Sequence, residues 1–143
     1  PIAAITEQWN GTAWTEVADL STGRKELTGN GTSHSAGFAA AGSAPGGRTA
    51  VAEEWTGVGA DVGAWSTGGS MNTARNLNSR AGTYTSALTF GGGNSAHTEK
   101  YNGSTWTELN NLNLARNSIG GFGASGDSAL AAGGYSGTAK QQT

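Results

Sequence analysis

The chain repeats one short pattern three times, and this repetition constrains its fold more than any other feature. An acidic residue is followed two positions later by an aromatic residue, and the pair recurs at steps of 46 residues as Glu7 and Trp9, Glu53 and Trp55, and Glu99 and Tyr101. A second Trp follows each pair, with an Arg ten residues after it: Trp14 and Arg24, Trp65 and Arg75, and Trp106 and Arg116. Self-similarity at such a period predicts a repeat architecture.

Each repeat has the pattern of four short antiparallel strands. In the third copy, Thr98–Tyr101 and Thr105–Leu109 flank Asn102-Gly103, a dipeptide that suits a two-residue hairpin turn. Two small-residue strands follow, Ser118–Ala124 and Ser128–Gly134. Four antiparallel strands in about 46 residues is the period of a propeller blade. The sequence therefore predicts an all-β chain of three four-stranded repeats, with repeat boundaries at 6–52, 53–97 and 98–143.

Composition supports a turn-rich β protein and excludes several other classes. Gly, Ala, Thr and Ser account for 80 of the 143 residues, whereas Leu, Ile, Val and Phe together number 18. The charged fraction of 13% is too low for a disordered chain of this kind. A net charge of −2 gives no electrostatic footprint for nucleic acid, and no apolar run reaches the roughly 20 residues that cross a bilayer. The absence of Cys excludes disulfides and thiolate metal sites.

The order of these residues resembles the kelch repeat of β-propellers. The match is fullest over Gly91-Gly92, Tyr101, Trp106 and Arg116, and it covers nearly the whole chain, whereas the first copy has Ala41-Gly42 in place of the glycine pair. In their Asn-Gly-Ser-Thr-Trp and Ala-Arg-Asn segments, the repeats are similar to kelch-like arrays in structural and tail-fibre proteins of marine tailed phages. The resemblance implies blades that pack face to face around an axis, with small residues on the inner strands and aromatic residues on the outer ones.

Three blades are too few to close a propeller, which has about four to eight. The pattern also places both ends of the sequence within a blade, with two outer strands over Ile5–Val17 and two inner strands over Ser118–Gly134. These halves are complementary. We therefore expect either that two chains associate head to tail into a six-bladed ring or that the chain is part of a longer protein.

The repeated residues are predicted to build the scaffold. Nine positions belong to this group: Trp9, Trp14, Arg24, Trp55, Trp65, Arg75, Tyr101, Trp106 and Arg116. The arginines are expected to cross between neighbouring blades and to donate to backbone carbonyls, because the guanidinium is a rigid fork of donors. The repeated glutamates would be spread around the ring rather than paired for hydrolysis, and we expect them to solvate an outer strand.

Sites for chemistry are scarce. His34 and His97 occupy non-equivalent positions, so we predict no metal site, no catalytic residue and no cofactor. Asp127 is expected to cap its own turn. Three Asn-Gly-Ser/Thr segments are formally glycosylation sequons, but the hairpin-turn interpretation is favoured for all three: Asn10, Asn30 and Asn102.

Departures from the repeat are the better guide to a binding site, because blades share a scaffold and differ in their loops. Two stand out, the loop Ser43–Arg48 and an insertion within Thr56–Ala64 that includes Val58 and Asp61. We accordingly expect a non-enzymatic structural or recognition module, in a virion or another extracellular assembly, that binds a virion protein or a surface glycan. The alternatives are a propeller enzyme such as a sialidase-like hydrolase and an intracellular kelch-type adaptor.

Overall fold

The protein is all-β. A computed structural model describes residues 1–57 and 63–137, and within them it contains fourteen β-strands and no helix. The prediction of an all-β chain is therefore confirmed.

Two four-stranded antiparallel sheets form the centre of the structure. Sheet A runs in the order β3, β4, β7, β8, and sheet B in the order β9, β10, β11, β12. The strands of sheet A are Thr28–Ser33, Ala36–Ala40, Ala52–Gly57 and Gly63–Thr67, and those of sheet B are Ser79–Thr83, Ser86–Phe90, Thr98–Tyr101 and Trp106–Leu109. Each sheet thus begins at an inner strand, about half a repeat out of phase with the predicted repeat boundaries.

A two-stranded half-sheet lies at each side of this pair. The N half-sheet consists of β1 (Thr6–Trp9) and β2 (Trp14–Val17), and the C half-sheet of β13 (Gly120–Ser125) and β14 (Ser128–Ala132). Within the described residues, β1 pairs only with β2, and β14 only with β13. The half-sheets lie close to the bounds expected from the sequence.

The expected loop Ser43–Arg48 contains a small hairpin of β5 (Ser43–Ala44) and β6 (Gly47–Arg48). One turn prediction was wrong. Four residues separate Tyr101 from its cross-strand partner Trp106, so the connection is not a two-residue turn. The Asn102 side chain stabilises this longer turn, because its Oδ1 accepts hydrogen bonds of 2.9 Å from the backbone N–H groups of Ser104 and Thr105.

The core between sheets A and B is aromatic. The ring of Phe38 on β4 lies 6.0 Å from that of Tyr101 and 5.9 Å from that of Trp106, centroid to centroid. Large aromatic rings bury much area per residue, which compensates for the scarcity of aliphatic side chains. Glu54 lies opposite Phe38 on β7 and accepts a hydrogen bond from the Tyr101 hydroxyl, so the same face of sheet A also makes a polar contact with sheet B.

The first strands of successive sheets, β3, β9 and β13, lie close to one another, and glycine permits this approach. A Cβ atom added at Gly121 on β13 would stand 2.3 Å from the carbonyl oxygen of Arg80 on β9. No side chain fits at that separation. The C half-sheet therefore packs on the face of sheet B opposite sheet A, and the N half-sheet contacts the outer face of sheet A, where Trp65 Nε1 donates to Thr6 Oγ1 at 2.9 Å.

Backbone hydrogen bonds connect equivalent residues of successive repeats. The residues two positions after each Arg all have positive φ, at 57° for Glu26, 56° for Leu77 and 51° for Ser118. Leu77 N–H donates to the Glu26 carbonyl, and Ser118 N–H donates to the Leu77 carbonyl, both at 3.1 Å. Three residues thus adopt the left-handed conformation, which residues with a Cβ atom normally avoid, and two hydrogen bonds join them in series.

Gly92 tests how tightly these connections are packed. It has a φ of 84°, and an added Cβ would lie 2.5 Å from the Asn76 carbonyl oxygen and 2.6 Å from the Asn78 nitrogen. We predict that Gly92→Ala lowers the free energy of unfolding by about 2–4 kcal/mol, since both backbone strain and overpacking oppose it. Gly46, with nothing within 4 Å of an added Cβ, is the matched control. Equal denaturation midpoints for the two alanine variants would contradict this packing.

Candidate functional site

The strongest polar feature is a buried arginine–glutamate pair that occurs once in each complete sheet. Arg24 Nη2 lies 2.7 Å from Glu53 Oε1 in sheet A, and Arg75 Nη2 lies 2.9 Å from Glu99 Oε1 in sheet B. All four side chains are almost inaccessible to solvent. Because each Arg lies in the link that precedes its sheet, the ion pair attaches the link to the third strand.

The guanidinium groups also bind carbonyls. Arg24 Nη1 donates to Val51 at 2.7 Å and to Ala41 at 3.5 Å, and Arg75 Nη1 donates to two equivalent carbonyls in sheet B. These acceptors belong to one sheet, so the side chains do not cross between sheets as predicted. The backbone does so instead, because the Arg75 carbonyl accepts a 2.8 Å hydrogen bond from Gly42 N–H of the preceding connection.

The prediction that the repeated glutamates solvate an outer strand was wrong for two of the three. Glu53 is 2% exposed and Glu99 is 0% exposed. Their second carboxylate oxygens accept backbone N–H bonds from the residue three positions before each Arg, at 2.9 Å from Ser21 and 2.6 Å from Asn72. An acidic residue is rarely buried unless it is paired, and the repeat supplies both the cation and the N–H donor.

Burial has an electrostatic cost at these pairs. Removal from water lowers the pKa of the Arg24 and Arg75 guanidinium groups, and the facing glutamate in each case acts in the opposite direction. A buried carboxylate left without its arginine would be far less stable than the pair.

We predict that Arg75→Met lowers the free energy of unfolding by about 3–5 kcal/mol, because Glu99 is left buried and uncompensated. The double variant Arg75→Met with Glu99→Leu should recover much of that loss. The control Arg80→Met, at an exposed arginine, should change the free energy of unfolding by about 0.5 kcal/mol or less. Urea denaturation measures all three. A double variant that is no more stable than Arg75→Met would contradict the ion-pair interpretation.

The third pair is divided. Arg116 Nη1 donates to Gly133 at 2.6 Å, but within the described residues its Nη2 has no acceptor. Glu7 is exposed and makes no side-chain hydrogen bond or ion pair there. Each of these residues has the same position in the repeat as a member of the complete pairs.

The hairpin β5–β6 departs from the repeat, because the corresponding connection of sheet B, between Phe90 and Thr98, contains no strand. Its Ser43 Oγ lies 3.0 Å from Asn76 Nδ2, which also donates to Glu26 Oε2 at 2.6 Å. Arg48 at the end of the hairpin is exposed, and Lys25 is exposed beside Glu26. This group of side chains, which we call the hairpin cluster, offers donors and acceptors of both charges for a polar ligand.

The two loops selected from the sequence belong to opposite ends of sheet A. The hairpin follows the last residue of β4, Ala40, whereas the connection from Gly57 to Gly63 starts beside the β3–β4 turn, since Gly57 N–H donates to the Ser35 carbonyl at 2.9 Å. Val58 and Asp61 lie outside the described residues. Ser43 and Arg48 are therefore the two candidate positions whose surroundings are known.

Three other expectations have different outcomes. Asp127 does not cap its own turn: it forms an ion pair with Lys100, and Ser125 Oγ accepts from the Asp127 N–H at 3.2 Å. Asn30 lies in strand β3 rather than in a turn, and its amide donates to the Gly82 carbonyl of sheet B. The Asn10 side chain accepts two backbone hydrogen bonds of 2.9 Å in its turn, as Asn102 does.

Tyr101, predicted as a scaffold residue, is buried and carries a polar hydroxyl group. Desolvation, followed by the hydrogen bond to Glu54, raises the pKa of the Tyr101 phenol well above its ordinary range. The phenol therefore contributes stability below about pH 10, the ordinary tyrosine pKa, and this contribution is lost as the pH rises towards the higher folded value.

We predict that the free energy of unfolding falls less steeply above about pH 10 in Tyr101→Phe than in the parent chain. The exposed Tyr135→Phe is the control. Equilibrium unfolding at a series of pH values measures the slopes, and equal slopes for the parent and Tyr101→Phe would show that the phenol is not held protonated by the fold.

Comparison with known proteins adds no relative. A scan against protein-family models finds no match, and a search of the curated proteins also finds none. In residues 1–57 and 63–137 no group of three or more His, Cys, Asp or Glu side chains could hold a metal ion. The same residues contain no helix long and apolar enough to span a membrane.

Proposed function

We propose that the chain is a non-enzymatic structural and recognition module, a segment of a kelch-like β-propeller that displays loops for binding. The arrangement of sheets supports this proposal. Successive four-stranded antiparallel sheets pack face to face, with glycine-rich innermost strands in close approach and aromatic residues on the outer strands. This is the packing that blades around an axis require.

One observation favours display over catalysis: four of the six repeated charged residues form ion pairs buried in the scaffold. Glu53 and Glu99 are each bound by an arginine and by backbone N–H groups, so their carboxylates have no solvent-facing oxygen for a substrate. Accessible polar groups are also present where the repeat is broken, in the hairpin cluster, because Lys25, Glu26 and Arg48 are exposed. Function on a shared scaffold commonly resides in such loops.

The proposed mechanism is recognition by a hairpin held on a rigid base. The antiparallel bond pair between Lys25 and Ser43, 3.1 and 2.8 Å long, attaches the hairpin to the link before sheet A. Fixing the loop before binding reduces the conformational entropy that association would otherwise remove. Arg48 provides a planar set of donors for hydroxyl or carboxylate groups. We assign the partner to a surface glycan or a neighbouring virion protein, in a virion or another extracellular assembly.

A shortened hairpin tests this assignment. Sheet B makes the corresponding connection with Asn94 alone between Gly93 and Ser95, so Ala44–Arg48 can be replaced by a single Asn. We predict that the parent chain binds a subset of glycans on an array that includes acidic sugars. The shortened chain and Arg48→Ala should lose at least about tenfold in affinity, the equivalent of about 1.4 kcal/mol.

The control is Arg80→Ala, which removes an exposed arginine from the inner strand β9, outside the hairpin cluster. It should bind as the parent does, and all variants should retain the parent's melting temperature within a few degrees. A flat glycan signal for the parent chain would contradict glycan recognition, and unchanged binding after shortening would exclude the hairpin as the site.

A further inference from the structure

The divided third ion pair identifies the partner of the two open half-sheets. In sheets A and B, the arginine donates to the carbonyl that follows the second strand. It also binds the glutamate of the third strand. Within residues 1–57 and 63–137, the C half-sheet follows Arg116 and has the first and second strands but no third, whereas the N half-sheet carries Glu7 and has the third and fourth strands but not the first two. Each half-sheet thus contains what the other lacks.

We propose that the C half-sheet of one copy of this chain is completed by the N half-sheet of a second copy, with Glu7 of the second copy bound by Arg116 of the first. We call each junction between a C half-sheet and the N half-sheet of the other copy a seam. Two copies joined in this way have two identical seams and no unpaired β1 or β14 edge. The inference rests on the scaffold proposed above and names its partner. Isologous pairing of this kind is the commonest form of protein self-association.

The complete sheets specify the atoms of the seam. Arg116 Nη2 would bind Glu7 Oε1 of the second copy. Arg116 Nη1, which already donates to the Gly133 carbonyl, would also donate to the Ile5 carbonyl of the second copy, just as Arg24 Nη1 donates to both Ala41 and Val51. The Asn113 N–H would donate to the second Glu7 oxygen, because it stands three residues before its Arg, as Ser21 and Asn72 do.

Strand register follows from the same equivalence. Ala39 lies opposite Glu53 in sheet A, and Thr89 lies opposite Glu99 in sheet B. The corresponding residue of β14 is Ala131, so Ala131 should lie opposite Glu7 of the second copy, and Ala132 opposite Thr6. The exposed edge of β14, ordinarily an aggregation liability, would then be fully paired.

Exposed apolar side chains at the half-sheets fit this seam. Leu130 is 64% exposed, whereas its equivalent Phe38 is 3% exposed and packs on Tyr101 and Trp106 of the next sheet. Leu130 would pack in the same way on the outer face of sheet A of the second copy, which carries Trp55 and Trp65. A groove lies between that face and the N half-sheet. It is lined by Gly29, Gly37, Trp55 and Trp65 of sheet A and by Glu7 and Val17 of the N half-sheet.

The exposed aromatic residues of the N half-sheet also fit the seam. Trp9 and Trp14 are equivalent to Tyr101 and Trp106, yet both are exposed. In the seam they would receive Leu88 of the other copy, which is the sheet B equivalent of Phe38 and is only partly buried. The seam therefore buries apolar area in addition to restoring the ion pair.

The solution mass is the first test. Light scattering after size exclusion should give about twice 14.3 kDa for the full chain. A monomer of 14.3 kDa would overturn the proposal and assign the open edges to protein outside this sequence. Higher open-ended assemblies would overturn the closed pair.

Complementation separates the seam from a folding defect. Glu7→Ala and Arg116→Ala should each raise the dissociation constant by at least about 100-fold, because one member of a buried ion pair is left alone. A mixture of the two variants should associate more tightly than either alone, since one seam of the mixed pair has both native residues and the other has neither. Glu16→Ala, opposite Glu7 on the outer strand β2, should leave the mass unchanged.

Cross-linking tests the register, and the chain has no native Cys to interfere. A mixture of Thr6→Cys and Ala132→Cys chains should form an oxidised dimer, whereas Gln8→Cys with Ala132→Cys, two residues out of register, should not. Equal cross-linking by both mixtures would overturn the register. The shortened-hairpin chain should still form dimers. A parent chain that dimerises but binds no glycan would overturn only the recognition function, whereas a monomeric parent chain that binds glycan would overturn only the seam.

Discussion

The buried arginine–glutamate pair is the interaction on which the rest of the structure depends. The link before each sheet has no regular secondary structure of its own, and the chain has too few aliphatic residues to hold it by apolar packing. In sheet B, hydrogen bonds of Arg75 and Glu99 hold the link instead. They connect it to the end of the second strand and to the third strand. A buried ion pair contributes little net stability compared with apolar replacements. We infer that its main effect is to fix geometry.

That fixed geometry allows the small residues to be used. Once the links are held, the innermost strands can approach to distances at which only glycine fits, as at Gly121 beside Arg80. Where sheet A faces the third and fourth strands of sheet B, the aromatic contacts of Phe38 with Tyr101 and Trp106 fill the space between the sheets. Glycine at the close approach of β9 and β13, and aromatic rings between sheets A and B, thus each match the space available to them.

Most of this arrangement can be read from the sequence, because repetition multiplies weak signals. The strands at Thr98–Tyr101 and Ser128–Ala132, the two half-sheets and the arginine–carbonyl bonds all follow from the repeat. The burial of Glu53 and Glu99 was missed, since a single acidic residue on a strand is ordinarily solvated. A signal was present: arginine and glutamate recur together in every copy, and their separations of 29 and 24 residues differ chiefly because of the hairpin.

Asn30 shows the limit of local patterns. Its Asn-Gly-Thr segment matches that of Asn10, which does lie in a turn, but Asn30 lies in strand β3 and its amide donates to the Gly82 carbonyl of sheet B. The same logic applies to the half-sheets. A repeat array divided between its second and third strands leaves the arginine on one part and the glutamate on the other. The complementarity that we propose for the two edges follows from the phase of the repeat, because the contacts it needs are those already made twice inside the chain.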